Sequence, residues 1–202
     1  MIMSSDAWIL VNGNVVQPHV SKYLNMLREN RPEAFRHSFN VAFLITEMFL
    51  RDFDDELNLP IDEDIISEVV QGALLHDIGK LKISEEILLK PGPLTPAERE
   101  EMNKHPIYGY EMVKDEECLS ELSKSIILQH HELPGGGGYP NNLAEVSNEV
   151  KLVALCDKYD ALTENRSYRP KMDPYKALKT IVNDLTEDDL GLFLLLTSIN
   201  DK

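Results

Sequence analysis

Cysteine is nearly absent from this 202-residue chain: only Cys118 and Cys156 occur, with neither metal-site nor disulfide-framework spacing, so a reducing cytoplasm is the expected setting. Basic residues are also scarce. Against 35 Asp and Glu stand 20 Lys and Arg, a net charge of −15, which disfavours long nucleic acid and anionic membrane as partners. No apolar run approaches membrane-spanning length, and Met1 to Asp6 lacks the basic stretch and apolar core of a secretory leader. Internal repeats are missing as well, and the one low-complexity tract is Gly135 to Gly138. A soluble, intracellular protein is what these absences leave, and 43% hydrophobic content is enough for one substantial core in one domain.

Histidine ordered with carboxylate is what the chain does have. Five of its six histidines fall into the series Glu33, His37, His76-Asp77, His105, His130-His131 and Asp157. Imidazole nitrogen together with carboxylate oxygen suits iron, manganese or zinc, with carboxylates able to bridge two ions. A metal-dependent hydrolase is therefore expected. From Asp77 to His105, His105 to His130 and His131 to Asp157 the intervals are 28, 25 and 26 residues, each about one helix-turn-helix excursion. Successive helices could thus return ligands to one centre. A single histidine on an apolar helix face is ordinarily a satisfied core or surface residue, so the argument is joint. Adjacent residues on a helix point about 100° apart, and at a helix end both members of a doublet can face different ions. Glu33 and His37 share a helix face, being one turn apart. Beside such a centre Lys80, Arg166 and Arg169, ordinarily solvated charges, become candidate phosphate ligands.

The pattern is helical after one exception. Trp8 to Val11, Asn12-Gly13 and Asn14 to Val16 read as strand, type I′ turn and strand, a short N-terminal β-hairpin lying on the core or on a second subunit. Asp62 is expected to cap a helix ending near His76, with Gly79 as its terminator. Thr95-Pro96-Ala97-Glu98 is a capping box with proline at the first helical position. His105-Pro106, Ser120, Ser147, Asp173-Pro174 and Thr186 to Asp189 mark the later starts.

The stretches His76-Asp77-Ile78-Gly79-Lys80, Lys90-Pro91-Gly92-Pro93-Leu94-Thr95, His105-Pro106, His130-His131-Glu132, Gly138-Tyr139-Pro140 and Asp157 to Thr163, followed by Arg166 to Arg169, closely resemble the HD-GYP family of HD-domain phosphohydrolases. The likeness runs in order from about Glu33 to Lys179. It implies an all-α, HD-domain helical bundle, here with the short hairpin: residues 1–30 as hairpin and lead-in helix, 31–202 as the phosphohydrolase domain. It also implies two or three divalent metal ions, iron or manganese first, with zinc, magnesium or nickel as alternatives. Glu33, His37, His76, Asp77, His105, His130, His131 and Asp157 match metal ligands, Asp77 as the bridging carboxylate and Glu33 as the ligand of three-metal members. Asp77 and Lys80 are the catalytic candidates; Lys80, Tyr139, Arg166 and Arg169 match positions that hold substrate phosphate or guanine, and Asp160 supports its neighbours.

The implied activity is hydrolysis of cyclic di-GMP to pGpG, to GMP, or to both. Alternatives are an HD-type phosphohydrolase of another nucleotide or cyclic dinucleotide, and a noncatalytic cyclic di-GMP receptor; a homodimer or a separate signalling partner protein stays open. Two departures stand out. Where the family usually has a basic residue and then Asp-Gly-Ser, this chain has Leu133 and Gly135 to Gly137, and only 32 residues precede Glu33, which points away from a built-in sensor.

Overall fold

A computed structural model describes residues 10–11, 14–15, 18–51, 63–164, 171–186 and 189–199. Its helices are α1 (Pro18–Asn30), α2 (Pro32–Arg51), α3 (Glu63–Leu75), α4 (Glu85–Leu88), α5 (Pro96–Met102), α6 (His105–Val113), α7 (Glu121–Gln129), α8 (Asn148–Thr163), α9 (Pro174–Ile181) and α10 (Leu190–Ser198), with short 3-10 helices at Ile78–Lys82 and Val182–Asp184. Local chemistry sets most of the starts. Thr95 Oγ1 accepts from the Glu98 N–H while the Glu98 carboxylate accepts from the Thr95 N–H, the full capping box, with Pro96 opening α5. Ser120, Ser147 and Asp173 each accept a backbone N–H three residues on and so open α7, α8 and α9.

Helix α3 packs against both α2 and α7, and α2 also packs on α1 and α8. Leu24, Leu27, Ile45, Met48, Leu74, Ile126, Ile127 and Leu152 are buried where these helices meet. Each such side chain contributes roughly 1.5–3 kcal/mol of burial free energy, enough to hold the helix ends that carry the histidines. Cys118 and Cys156 are both free, and Cys156 is buried with its sulfur 3.5 Å from that of Met48. No helix among the described residues is long and apolar enough to cross a membrane.

Three expectations need correction. The fold is all-helical, and the N-terminal β-hairpin is not an element of it: among the described residues, extended pairing is confined to Leu10 with Val15 and Val11 with Asn14. Two residues a side is far short of the roughly five-residue strand that makes a hairpin, and even a full isolated hairpin is marginal. Trp8, Ile9, Asn12, Gly13 and Val16, like Asp62, lie outside the described residues. Gly79 does not terminate α3, which ends at Leu75; it sits inside the following 3-10 helix. The helix-turn-helix reading of the ligand intervals holds only from His105 to His130, across α6 and α7. From Asp77 to His105 the chain makes a 3-10 helix and two short helices, and from His131 it runs through a long loop into the middle of α8.

Candidate metal centre

The chain delivers its ligand candidates chiefly at helix ends. His76 and Asp77 follow the last residue of α3, His105 is the first of α6, His130 and His131 follow the last of α7, and His37 and Asp157 sit within α2 and α8. At those ends His76, His105 and His130 each hydrogen-bond through Nδ1 to a carbonyl three residues back, that of Ala73, Met102 and Ile127, at 2.7, 2.8 and 3.0 Å. A carbonyl only accepts, so Nδ1 carries the proton in all three and each Nε2 presents a lone pair to the centre. Burial holds all three below the usual histidine range, His105 at about 3 and His130 well below, so they are neutral.

The seven side chains other than Glu33 meet in three overlapping groups: His105, His130 and His131; His76, Asp77 and His130; and His37, His76 and Asp157, with candidate ligand atoms in each group lying within 4.8 Å of one another. Asp77 Oδ1 is 3.3 Å from His105 Nε2, while its Oδ2 is 3.5 Å from His76 Nε2 and 2.6 Å from Lys80 Nζ. Burial would favour the neutral acid, but the Lys80 ammonium, with the protonated His37, outweighs it and holds Asp77 well below the carboxylate range. Asp157 is likewise depressed against its burial by the His37 hydrogen bond. Glu33 is exposed on the cavity rim, one turn before His37, and belongs to none of the three groups.

Cations fit this donor set. His105 Nε2 and His130 Nε2 are 3.1 Å apart with both protons committed to Nδ1, so two lone pairs face each other with nothing between them to share. Among the described residues His76 Nε2 is buried without a hydrogen-bond partner. Buried acceptors in that condition cost free energy unless a cation binds them, and mixed imidazole and carboxylate donors are what first-row divalent ions take.

His37 is oriented differently. Its Nδ1 lies 2.5 Å from Asp160 Oδ2 and its Nε2 2.8 Å from Asp157 Oδ1, so the buried Asp160 fixes the ring as a carboxylate behind a ligating histidine does. Burial disfavours the charged ring, yet the bonds to Asp157 and Asp160 outweigh it and raise His37 to about 9. Because that lies above the ordinary 6.5, this proton stabilises the metal-free fold in full below about pH 6.5, and the contribution fades as pH rises through about 9. Metal taken up by His37 Nε2 at pH 7.5 should therefore release close to one proton from this site, and affinity should climb until about pH 9. Calorimetric titration of chelator-treated protein with Mn2+, in buffers of different ionisation enthalpy, reads that number; no proton release would place His37 outside the binding set.

Two further residues shape the site. Arg31 donates to the carbonyls of Lys80 and Ile83 and pairs with Glu85, tying the α1–α2 junction to the segment that carries Lys80. No sequence signal marks it. The buried Glu132 carboxylate accepts the backbone N–H groups of Asn141 and Leu143, at 2.5 and 2.9 Å, and so closes the loop that presents Tyr139. A Cβ at Gly138 would sit 2.4 Å from the Leu133 nitrogen, so only glycine lets this loop fold against itself. Tyr139 comes to rest with its ring 4.7 Å from that of His131, and burial, with Asp157 and Asp77 nearby, raises its phenol well above the usual range, leaving it protonated. Arg166 and Arg169 lie outside the described residues.

A cavity of about 1120 Å3 opens against the cluster, lined among others by His37, Lys80, His105, His130, His131, Tyr139 and Asp157. The model of the HD domain family matches residues 49–187. A cyclic di-GMP phosphodiesterase of Thermotoga maritima is 34% identical over 173 residues, 82% of this chain and 45% of that protein. The cyclic di-GMP phosphodiesterase response regulator RpfG of Xanthomonas campestris is 37% identical over 170 residues, 83% of this chain and 44% of that one. The chain thus spans less than half the length of these curated relatives. In fold it is similar to the HD domain of the Listeria monocytogenes phosphodiesterase PgpH, solved in complex with cyclic di-AMP, at a TM-score of 0.59 and 18% identity over 93% of this chain and 98% of that one. Motifs, family model and relatives agree, and the chain belongs to the HD-domain family, in its HD-GYP group.

Proposed function

We propose that this chain is a metal-dependent phosphodiesterase that hydrolyses cyclic di-GMP to pGpG, GMP or both, at the cluster joined by Asp77. One observation carries the reading: three neutral, buried histidines whose Nδ1 protons are committed to carbonyls turn their Nε2 lone pairs into the cluster that holds the Asp77 carboxylate, at the wall of a cavity large enough for a dinucleotide. His37, His76, Asp77, His105, His130, His131 and Asp157 would hold two divalent ions, iron or manganese first, and Glu33 would join only if a third is bound. Such ions supply an acidified water for attack on phosphorus and neutralise charge on a phosphoryl oxygen.

The chain's own groups do the rest. Lys80, held beside Asp77, supplies positive charge where a phosphate would approach. Tyr139 keeps its proton and can donate it in a hydrogen bond to a phosphate or guanine oxygen. Arg166 and Arg169 are assigned substrate contacts from the family motif alone. Residues 31–202 form the phosphohydrolase domain in this reading, with residues 1–30 as its lead-in, and two free cysteines suit a reducing cytoplasm.

The direct test is hydrolysis of cyclic di-GMP by purified protein loaded with Mn2+ or Fe2+, followed chromatographically. Turnover that a chelator removes and Mn2+ or Fe2+ restores is the expected result. A second reading, another cyclic dinucleotide as preferred substrate, is favoured by Leu133 and Gly137 lining the cavity where the family usually has polar side chains. Cyclic di-AMP and 3′3′-cyclic GMP-AMP should therefore run in parallel. Cleavage of one of these and not of cyclic di-GMP selects the second reading, and binding of cyclic di-GMP without cleavage selects the receptor.

A further inference from the structure

The cavity reaches well beyond the metal cluster, to the segment that carries α4 and α5, and its positive charges are unequally committed. Arg31, Lys80, Lys90, Arg99 and Lys158 all line it. Arg31 is spent on backbone carbonyls and Glu85, Lys80 on Asp77 at 2.6 Å, and Lys90 on Glu98 at 2.5 Å; Lys158 is also engaged. Arg99 differs: its guanidinium has no hydrogen-bond or ion-pair partner among the described residues, and it is exposed. Its place is nonetheless well defined, because it lies one residue beyond the capping box that starts α5, with its N–H on the Thr95 carbonyl at 2.8 Å. Its charge is felt at Tyr139, which borders the same cavity beside His131.

The cavity also exposes Leu89 and Leu133, at 62% and 52%, from two separate chain segments. Apolar side chains of that kind suit the faces of nucleobases, and an uncommitted guanidinium suits a phosphate, which its planar fork can grip with two hydrogen bonds. A cyclic dinucleotide carries two phosphodiesters on opposite sides of its ring, and the metal cluster can take only one at a time. We propose that Arg99 binds the second phosphodiester of a cyclic dinucleotide, the one turned away from the cluster. This assignment rests on the function proposed above and sets a preference for cyclic dinucleotides over simple phosphodiesters.

The test compares wild type, Arg99→Ala and Arg99→Lys, all loaded with Mn2+, on cyclic di-GMP, cyclic di-AMP and bis(p-nitrophenyl) phosphate, which has no second phosphodiester. Equilibrium dialysis of the two dinucleotides accompanies the kinetics. Losing a charge-assisted contact should raise KM and Kd for both dinucleotides about tenfold in Arg99→Ala, with kcat much less affected. The loss on the small diester should be several-fold smaller, and Arg99→Lys should recover part of the dinucleotide affinity. Equal losses on all three substrates, or none on the dinucleotides, overturn the assignment, and a loss confined to cyclic di-GMP overturns it in favour of a guanine contact. If wild type neither binds nor cleaves a cyclic dinucleotide, the proposed function itself fails, an outcome visible before any variant is measured. If wild type binds without cleaving, dialysis alone decides on Arg99.

Discussion

Asp77→Ala should strip the metal centre and lower hydrolysis of cyclic di-GMP by more than about 1,000-fold, roughly 4 kcal/mol of transition-state stabilisation. Its carboxylate faces both sides of the cluster, with Oδ1 toward His105 and Oδ2 toward His76, His37 and Lys80. Without it, Asp157 would be the one carboxylate left in the seven-residue set, Lys80 would lose the Asp77 partner, and two cations would repel each other with less negative charge beside them. The histidine tautomers would survive, because their carbonyl partners belong to their own helix ends. Metal content of the purified variant, measured alongside turnover, separates this from simple unfolding when the helical circular dichroism is also recorded. Retention of both metal and turnover would mean that the centre is misassigned.

Gly79→Ala should be the most damaging change that touches no ligand. A Cβ there would lie 1.9 Å from the His105 carbonyl oxygen and 2.5 Å from the Gly109 nitrogen, both backbone atoms that cannot rotate away. The 3-10 helix must then separate from α6, and these two segments carry Lys80 and His105. We expect a loss of about 3 kcal/mol or more, at the upper end of overpacking penalties, together with weakened metal affinity. Gly109→Ala meets a side-chain methyl of Ile127 at 3.0 Å and should cost less. Urea denaturation of both variants in chelator reads the ranking without the metal's contribution, and a Gly79→Ala protein as stable as wild type would refute the close approach.

What could be read along the chain was whatever depends on near neighbours. Thr95 and Glu98, Ser120, Ser147 and Asp173 satisfy helix N–H groups three residues away, so the sequence carried those starts in plain form. The ligand series was legible for a related reason: histidine and carboxylate in that order have few other uses together, and the doublets fall where helices stop. Pattern misled where a local signal had two physical uses. Asn12-Gly13 is a good turn signal in sequence, but a turn signal alone does not extend a two-residue ladder into a hairpin. Gly79 looked like a helix terminator because glycine serves that role, whereas here the missing Cβ makes room for a second backbone.

By itself, then, the sequence determined which residues are candidates to bind metal, where most helices begin, and the family to which the chain belongs. Tertiary structure alone decided that Asp160 stands behind His37, that Arg31 braces the Lys80 segment, that Glu33 stays on the rim, and that Arg99 reaches the cavity uncommitted. Those pairings join residues as far as 123 positions apart. Their energies depend on distance and burial, which no local propensity encodes and which packing of α2 against α3 and α8 supplies.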